Sequence, residues 1–229
     1  MFSARGPLIF QGNASAGDTY WDNVQLLMNF DSNLNDLRTR TTVTDNSTSY
    51  ETTVKKFGTA SLLCNTTLGG SSGLGFSNSN MDPGTGDFCL EVHHYSPGAA
   101  ANYYTGYSFN NTTTADYFGM LCLGDATKWN AHFFDGATMF ANTTDLNLNQ
   151  WYHIAIIRES SNMYIAVDGV RQFLGTNSDD ITLSSPNLGL PSGYGGDAGL
   201  GYWDNLRLTV GNARYTANFT APTAAYPDF

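Results

Sequence analysis

Short runs in which apolar and polar residues alternate recur along most of the chain. In the clearest of them, which ends at Val210, Leu206 and Leu208 alternate with Arg207 and Thr209. Successive side chains of a β-strand point to opposite faces of the sheet, so this alternation predicts a strand with one buried face. A Gly-Asn turn and an extended segment with aromatic residues follow the strand.

Further runs of this kind predict strands at about ten-residue spacing. They lie at 21–30, 57–64, 84–95, 103–109, 117–123, 129–134, 147–158, 163–171 and 170–174, with an exposed strand and loop at 41–51 and a short strand around Leu188. The hairpin of 147–158 and 163–171 is the strongest, and no segment has the apolar stripe of an amphipathic helix. The pattern predicts an all-β fold, an antiparallel two-sheet sandwich.

The sandwich is expected to occupy residues 20–229, a length that suits one β-sandwich domain. Residues 1–19 hold three Gly residues and one Pro residue around a short apolar patch and show no periodicity. Such a segment cannot pack on itself. It is predicted to be either disordered or an N-terminal arm that docks on another subunit.

The acidic composition argues against one class of partner. The formal net charge is -10, and Lys55-Lys56 is the longest basic run. Because a phosphate backbone needs a basic surface, no nucleic acid partner is expected. The sequence has neither the long apolar run of a membrane span nor the apolar core of a signal peptide. We therefore expect that the protein does not insert into a membrane and that it is assembled in a cytoplasm.

The cysteines predict no disulfide framework. Cys64, Cys89 and Cys122 are odd in number and widely spaced, and they contain no CxxC metal-binding pattern. Cys89 and Cys122 lie in apolar runs, where a thiol behaves as a small hydrophobic group. All three are expected to be reduced.

Four phrases together resemble one family. They are Lys56-Phe-Gly-Thr-Ala-Ser-Leu, Gly86-Asp-Phe-Cys-Leu-Glu-Val, the hairpin 149–158 with 163–170, and the segment 201–222. In order and spacing they resemble the concanavalin A-like lectin/glucanase superfamily, in its laminin G-like form, from about residue 21 to residue 227. The resemblance implies that the sandwich is a jelly roll.

The last phrase is similar to the form found in structural proteins of tailed bacteriophages. It implies a non-enzymatic virion structural protein, a head decoration or tail appendage subunit, whose partners are other virion proteins and its own copies. The expected location is the virion, assembled in the host cytoplasm. Because the superfamily also contains lectins and adhesins, the alternative is a carbohydrate-binding adhesin, calcium-dependent in one version, that attaches to cell-surface glycans.

The glutamates argue against hydrolysis of glycosidic bonds. A jelly-roll glucanase needs an acid and a nucleophile that flank the bond, normally as Glu-x-Asp-x-Glu on one strand. Glu51, Glu91 and Glu159 are far apart, and none has a carboxylate two residues away. We therefore predict no enzyme activity, with Glu91 as a hydrogen-bonded strand residue.

The histidines are predicted to be structural. His93 and His94 are neighbours on a strand, so they point to opposite faces and cannot hold one metal ion together. His153 falls within the strand of the predicted hairpin.

Two aspartates are candidates for calcium. Asp31 follows the first predicted strand and Asp204 begins the last one, and laminin G-like relatives often hold calcium near such residues. The alternative is that both carboxylates cap turns or pair with Arg207 or Arg214. Asp179, Asp180 and Asp197 could serve instead.

Aromatic side chains at strand ends or in loops could stack on sugar rings. The candidates are Tyr103, Tyr104, Tyr107, Trp129, Tyr194 and Tyr202. Their spacing does not separate a sugar platform from core packing or from a protein interface, where Tyr and Trp are also enriched. The sequence therefore identifies no firm ligand-binding residue.

Overall fold

A computed structural model describes residues 17–64, 72–97, 103–110, 117–124, 127–135, 139–141, 145–182, 186–189 and 201–227. Within them the regular structure is β, apart from two short 3₁₀ turns at Trp21–Asn23 and Ser79–Met81. None of the described residues forms a helix that is long and apolar enough to cross a membrane.

The described part of the chain contains sixteen strands. In chain order they are β1 (Val24–Met28), β2 (Thr42–Asn46), β3 (Ser49–Glu51), β4 (Ser61–Cys64), β5 (Gly73–Ser77), β6 (Phe88–Tyr95), β7 (Tyr103–Asn110), β8 (Tyr117–Gly124), β9 (Lys128–Asp135), β10 (Met139–Ala141), β11 (Leu146–Asn147), β12 (Trp151–Glu159), β13 (Asn162–Val167), β14 (Val170–Thr176), β15 (Asn187–Leu188) and β16 (Gly201–Val210).

The strands form two antiparallel sheets. Sheet A has the order β14-β13-β12-β6-β16-β4-β3, and β1 also pairs with β16. Sheet B has the order β10-β9-β8-β7-β15-β5-β2, and β11 also pairs with β9. The arrangement confirms the predicted antiparallel two-sheet sandwich.

The last strand is central to sheet A. Along one side β16 pairs with β6, with Arg207 opposite Glu91. Along the other it pairs with β4 in its first half and with β1 in its second half. The predicted strand thus joins both ends of the chain to the middle of the sheet.

The main core lies between the sheets. Sheet A contributes inward side chains such as Leu90, Val92 and Ile156, and sheet B contributes Leu74 and Trp129, all at most 1% exposed. The alternation along β6 places Cys89, Glu91, His93 and Tyr95 on the opposite surface of sheet A, which we call the outer face.

Two predicted strands are shorter than the sequence pattern indicates. The strand predicted at 21–30 begins with the 3₁₀ turn and ends at Met28, and Phe30 already has a φ of 57°. The strand predicted at 57–64 begins only at Ser61, because Gly58 has a φ of 54° and belongs to a loop. Apolar composition continued past both strand ends, so it gave no signal of these turns.

The predicted N-terminal arm lies mostly outside the described residues, which begin at 17. Asp18 is described, and its carboxylate forms ion pairs with Arg207, at 3.0 Å, and with Arg214. The end of the predicted arm is therefore attached to the outer face of the same chain.

Candidate functional site

The outer face of sheet A carries a buried charged group at its centre. Glu91 is 0% exposed. Its Oε1 accepts a hydrogen bond from Arg207 Nε at 2.8 Å, and its Oε2 lies 3.1 Å from His153 Nε2. Both oxygens are thus engaged by neighbouring strands of the same sheet.

The C-terminal segment, residues 211–227, covers this group. The Tyr215 hydroxyl donates to Glu91 Oε2 at 2.9 Å, and the Tyr226 hydroxyl lies 3.2 Å from the same oxygen. The Tyr215 and Phe219 rings are stacked, with centroids 3.6 Å apart. Arg207 lies over the Tyr226 ring at 3.8 Å. The aromatic residues of the segment therefore seal Glu91 from solvent.

Electrostatics keep Glu91 ionised despite its burial. Burial alone would raise the pKa of its carboxyl, but Arg207, the hydrogen bond with His153 and Arg214 together hold this pKa well below the usual range. A solvent-free carboxylate held by two guanidinium groups has neither the access nor the proton affinity of a general acid. Glu91 is a hydrogen-bonded strand residue, as the sequence indicated.

The other two glutamates lie apart from Glu91 in the chain and in their contacts. Glu159 pairs with Arg171 at 2.6 Å, and Glu51 accepts hydrogen bonds from the backbone and hydroxyl of Thr53, each at 2.6 Å. Both form local contacts at the ends of strands.

The adjacent histidines occupy opposite faces of sheet A. The His93 ring lies on the outer face, 4.9 Å from the His153 ring. The His94 ring lies in the core, 4.1 Å from Trp203 and 4.9 Å from Trp129. Burial lowers the pKa of both His93 and His94 to about 3. The two rings point to opposite faces of the sheet, as the strand alternation predicted.

Asp31 and Asp204 meet at one loop. Asp204 Oδ2 accepts hydrogen bonds from the backbone N–H groups of Lys56, at 2.9 Å, and Phe57, at 3.0 Å. The Asp31 carboxylate accepts from the Thr59 N–H. The structure therefore brings together the two candidate calcium ligands, although 173 positions separate them in the sequence (204 minus 31).

The loop geometry explains its glycine. A Cβ at Gly58 would lie 1.8 Å from Asp31 Oδ1, and the φ of Gly58 is 54°. Only glycine allows the Asp31 carboxylate to approach the backbone this closely without strain. The contacts show the turn-capping role that the sequence offered as the alternative to calcium.

The donor set fits a calcium ion in chemical type. Carboxylate oxygens are its usual ligands, and burial, with Asp31 as a further contribution, raises the pKa of Asp204 to about 6. A cation between the two carboxylates would offset both the burial of the Asp204 charge and its repulsion by Asp31. Among the described residues, however, no group of three or more His, Cys, Asp or Glu side chains gathers as a metal site. Calcium stays a prediction.

The remaining aspartate candidates are placed elsewhere or not described. The Asp179 carbonyl accepts from Arg158 at 3.0 Å, and its carboxylate accepts from Asn177 at 2.9 Å. Asp180 lies beside Gly84, where an added Cβ would be 3.6 Å from its Oδ1. Asp197 lies outside the described residues.

Of the aromatic candidates, Trp129 was predicted wrongly. It is 0% exposed in the core, because the alternation along β9 directs it toward sheet A. The side chains of Tyr103, Tyr104 and Tyr107 and the whole of Tyr194 lie outside the described part of the chain. Tyr202 is partly exposed on the outer face.

Tyr202 belongs to a row of three rings that the sequence did not reveal. The row consists of Trp151 on β12, Tyr95 on β6 and Tyr202 on β16, all partly exposed. Tyr95 is paired with Trp151 on one side and with Tyr202 on the other. The ring centroids are 5.6 Å apart for Tyr95 and Trp151, and 5.4 Å apart for Tyr95 and Tyr202.

The aromatic row lies beyond the covered part of the outer face. Each ring lies two residues along its strand from a residue on the covered part of the same face. Tyr95 follows His93, Trp151 precedes His153, and Tyr202 precedes Asp204. The Tyr95 hydroxyl donates to Asn149 Oδ1 at 3.3 Å. Along a strand, Tyr95 faces the same side as Glu91, and Trp151 faces the same side as His153. The sequence carried this signal for the row, but the strand register was needed to bring the rings together.

The sequence of residues 68–209 matches a family model described as the concanavalin A-like lectin/glucanases superfamily. The match spans more than half of the chain. The chain belongs to this superfamily. A search of curated proteins finds no match.

Solved structures that are similar to this superfamily member include domains of toxins and of a glycosidase. The binding domain of Paraclostridial Mosquitocidal Protein 1 has 14% identity and a TM-score of 0.60 over 85% of this chain and 50% of that chain. The Botulinum Neurotoxin Type G receptor binding domain has 11% identity and a TM-score of 0.58 over 87% and 49%. This chain therefore spans about half the length of those two binding domains.

A third similar structure is comparable in length. Domain 4 of AbnA, an extracellular arabinanase of Geobacillus stearothermophilus, in complex with arabinotriose, has 17% identity and a TM-score of 0.56 over 82% of this chain and 93% of that domain. At these identities the likeness shows the fold of the superfamily, and the function has to be argued from the site.

Proposed function

We propose that the protein is a non-enzymatic carbohydrate-binding domain that holds a glycan on the aromatic row. The observation that carries this proposal is the alignment of Trp151, Tyr95 and Tyr202 across three adjacent strands, with partly exposed rings 5.4 to 5.6 Å apart. Aromatic rings offer a flat apolar surface with a polar edge, which matches the C–H faces and hydroxyl rims of sugar rings.

Two similar structures support the same function. One is the arabinanase domain in complex with arabinotriose, and another is a structure of botulinum neurotoxin type C, whose cell entry is dependent upon interaction with two ganglioside molecules. The proposal rests on the row itself, since the sandwich alone also occurs without a glycan.

The absence of enzyme activity is part of the proposal. Glu91 is fully buried under Tyr215 and Tyr226 and is held as a carboxylate by Arg207. A polysaccharide could not reach it unless the C-terminal segment moved away. Release of reducing sugar from any polysaccharide by the purified protein would contradict this part of the proposal.

Truncation of the rings tests the carbohydrate function. A glycan array followed by titration calorimetry should give a saturable ligand, and Trp151→Ala, Tyr95→Ala and Tyr202→Ala should each weaken its binding by about tenfold or more. Phe173→Ala is the matched control, because Phe173 is a 56% exposed aromatic residue on β14, away from the row. Equal losses in the control, or none in the three variants, would refute the proposal.

The setting that we propose is the virion of a tailed phage, where the domain is a structural subunit of the head or tail. The similarity of residues 201–222 to phage structural proteins supports it, and the partners would be other virion proteins and further copies. Deletion of residues 1–16 tests the arm and keeps Asp18, whose ion pairs with Arg207 and Arg214 belong to the fold. Normal incorporation of this variant into particles would contradict the prediction that the arm docks on another subunit.

Calcium dependence is the remaining part of the proposal. Asp31 and Asp204 would hold the ion and thereby fix the loop at Lys56 and Phe57, which neighbours the aromatic row through Asp204 and Tyr202. Calorimetry with calcium alone should show binding that Asp204→Asn removes. A chelator that leaves both glycan binding and stability unchanged would contradict it.

A further inference from the structure

We infer that the ligand of the aromatic row is a single, twisted chain of a neutral glycan, rather than a flat polysaccharide surface or an acidic glycan. This inference rests on the proposed carbohydrate function and adds the class of ligand. Three observations carry it: the spacing of the rings, the angles between their planes, and the charge around them.

The spacing favours consecutive sugar units of one chain. The three centroids follow one another at 5.6 Å and 5.4 Å across the sheet, a distance comparable to the length of one pyranose unit. A glycan that runs across β12, β6 and β16 would therefore present about one sugar unit to each ring. A single terminal sugar would contact only one of the three.

The angles exclude a flat surface. The planes of Tyr95 and Trp151 are inclined by 54°, and those of Tyr95 and Tyr202 by 85°. A crystalline polysaccharide offers a planar face, which can stack only on coplanar rings. A soluble chain can rotate about each glycosidic bond, so successive units can follow successive ring planes.

The charge favours a neutral ligand. The formal net charge of the chain is -10, which repels anionic polymers at long range. Close to the row, β4 and β3 continue sheet A beside Tyr202, with Leu63 paired to Tyr202 and Ser49 paired to Leu63. The Glu51 carboxylate is two residues along β3 from Ser49, so a negative charge lies near this end of the row.

The polar group beside the row suits hydroxyls. The Asn149 side chain accepts from the Tyr95 hydroxyl at 3.3 Å. An amide and two phenol hydroxyls offer both donors and acceptors without a formal charge, as sugar hydroxyls require.

Binding to three kinds of polysaccharide tests the inference. We expect the full chain to bind a soluble neutral polysaccharide of pyranose units, such as mixed-linkage glucan, in affinity electrophoresis. Binding should be unchanged when salt is raised, because no ion pair is formed. We expect no retention by crystalline cellulose and none by polygalacturonate. In calorimetry with oligosaccharides of the neutral ligand, affinity should rise about tenfold with each unit up to the length that covers three rings.

The outcomes separate this inference from the proposed function. Preferred binding of polygalacturonate or crystalline cellulose, lost in Tyr202→Ala, would overturn the neutral, twisted-chain inference and leave the carbohydrate function intact. No binding to any polysaccharide, or binding that survives truncation of all three rings, would overturn both. Glu51→Gln gives a further readout, since it should not weaken a neutral ligand but should admit an acidic one.

Discussion

Glu91 and Arg207 form an ion pair of 2.7 Å between Oε1 and Nη2 on the outer face of sheet A, with both side chains at most 6% exposed. The two residues are opposite each other on β6 and β16, 116 positions apart in the sequence. The pair connects β6, at the centre of the sheet, to the last strand. The same Glu91 carboxylate is contacted by the hydroxyls of Tyr215 and Tyr226 in the C-terminal segment.

Neutralising Glu91 should destabilise the fold strongly. Glu91→Gln removes one of the two carboxylates that pair with Arg207 and leaves Asp18 as the counter-charge of both Arg207 and Arg214. Breaking a buried ion pair in this way costs about 3–5 kcal/mol of the free energy of unfolding. Asp145→Asn, at an exposed carboxylate, is the control and should stay within about 0.5 kcal/mol. Urea unfolding curves measure both, and equal midpoints for the two variants would contradict the structural role of the pair.

Gly169→Ala should loosen the C-terminal segment. A Cβ at Gly169 would lie 1.9 Å from the Phe219 carbonyl oxygen, and the φ of Gly169 is 84°. The expected loss is about 1–3 kcal/mol, with faster amide hydrogen exchange in residues 213–226.

Gly75→Ala is the matched control for this change. Its nearest contact would be Thr44 Cβ at 3.8 Å, an ordinary van der Waals distance, so its exchange pattern should match the parent protein. Unchanged exchange in the Gly169 variant as well would show that the contact with Phe219 does not hold the segment.

Stability should fall in mild acid because of two histidines. His93 and His94 have folded-state pKa values of about 3 against 6.5 in the unfolded chain. Their depressed pKa values mean that the unfolded state binds more protons, so each contributes about 1.4 kcal/mol of lost stability per pH unit as the pH falls from 6.5 toward 3. Urea unfolding at pH 6, 5.25 and 4.5 measures this slope. His94→Gln removes one titrating group, so it should reduce the slope by about 1.4 kcal/mol per pH unit.

Asp204 should oppose part of that slope. Its pKa is raised from 3.8 to about 6, so its contribution is present below 3.8 and is lost as the pH rises through 6. Between pH 4.5 and 6 the two histidines outweigh the one carboxyl. Asp204→Asn should therefore make stability depend more steeply on pH, by about one proton. An unchanged dependence in this variant would show that the carboxyl is ionised throughout this pH range.

Two thiols should be inert in the folded protein. Cys64 and Cys89 are both 0% exposed, and burial raises the pKa of each thiol far above its ordinary value. In a Cys122→Ser background, a thiol reagent should react only after unfolding in urea, when both groups become accessible. Rapid reaction in the native state would contradict the burial of these cysteines.

Periodicity located most of the sheet strands but missed β5, in a glycine-rich stretch, and the short β10, and it did not give the face that each residue occupies. Leu206 and Leu208 were predicted to have a buried side and are 0% exposed. Trp129 was predicted to be accessible because it begins a strand after a turn, yet it lies in the core. Alternation separates two faces and does not say which one meets the other sheet.

The candidate site required information that a single sequence does not hold. Trp151, Tyr95 and Tyr202 come from three separate runs, and only the register of β12, β6 and β16 aligns them. The contact of Asp31 and Asp204 with one loop was better signalled, because the resemblance already paired these positions. Glu91 was identified correctly, but its seal by Tyr215 and Tyr226 depends on a segment more than a hundred residues away.

The central place of β16 also determines when the fold can form. β1 has its described strand pairing only with β16, and β6 has one of its two neighbours in β16. During synthesis from the N-terminus, both strands therefore leave the ribosome long before residues 201–210 exist. We expect sheet A to assemble only after the last strand has emerged, so the nascent chain must keep its exposed strand edges from pairing wrongly until then.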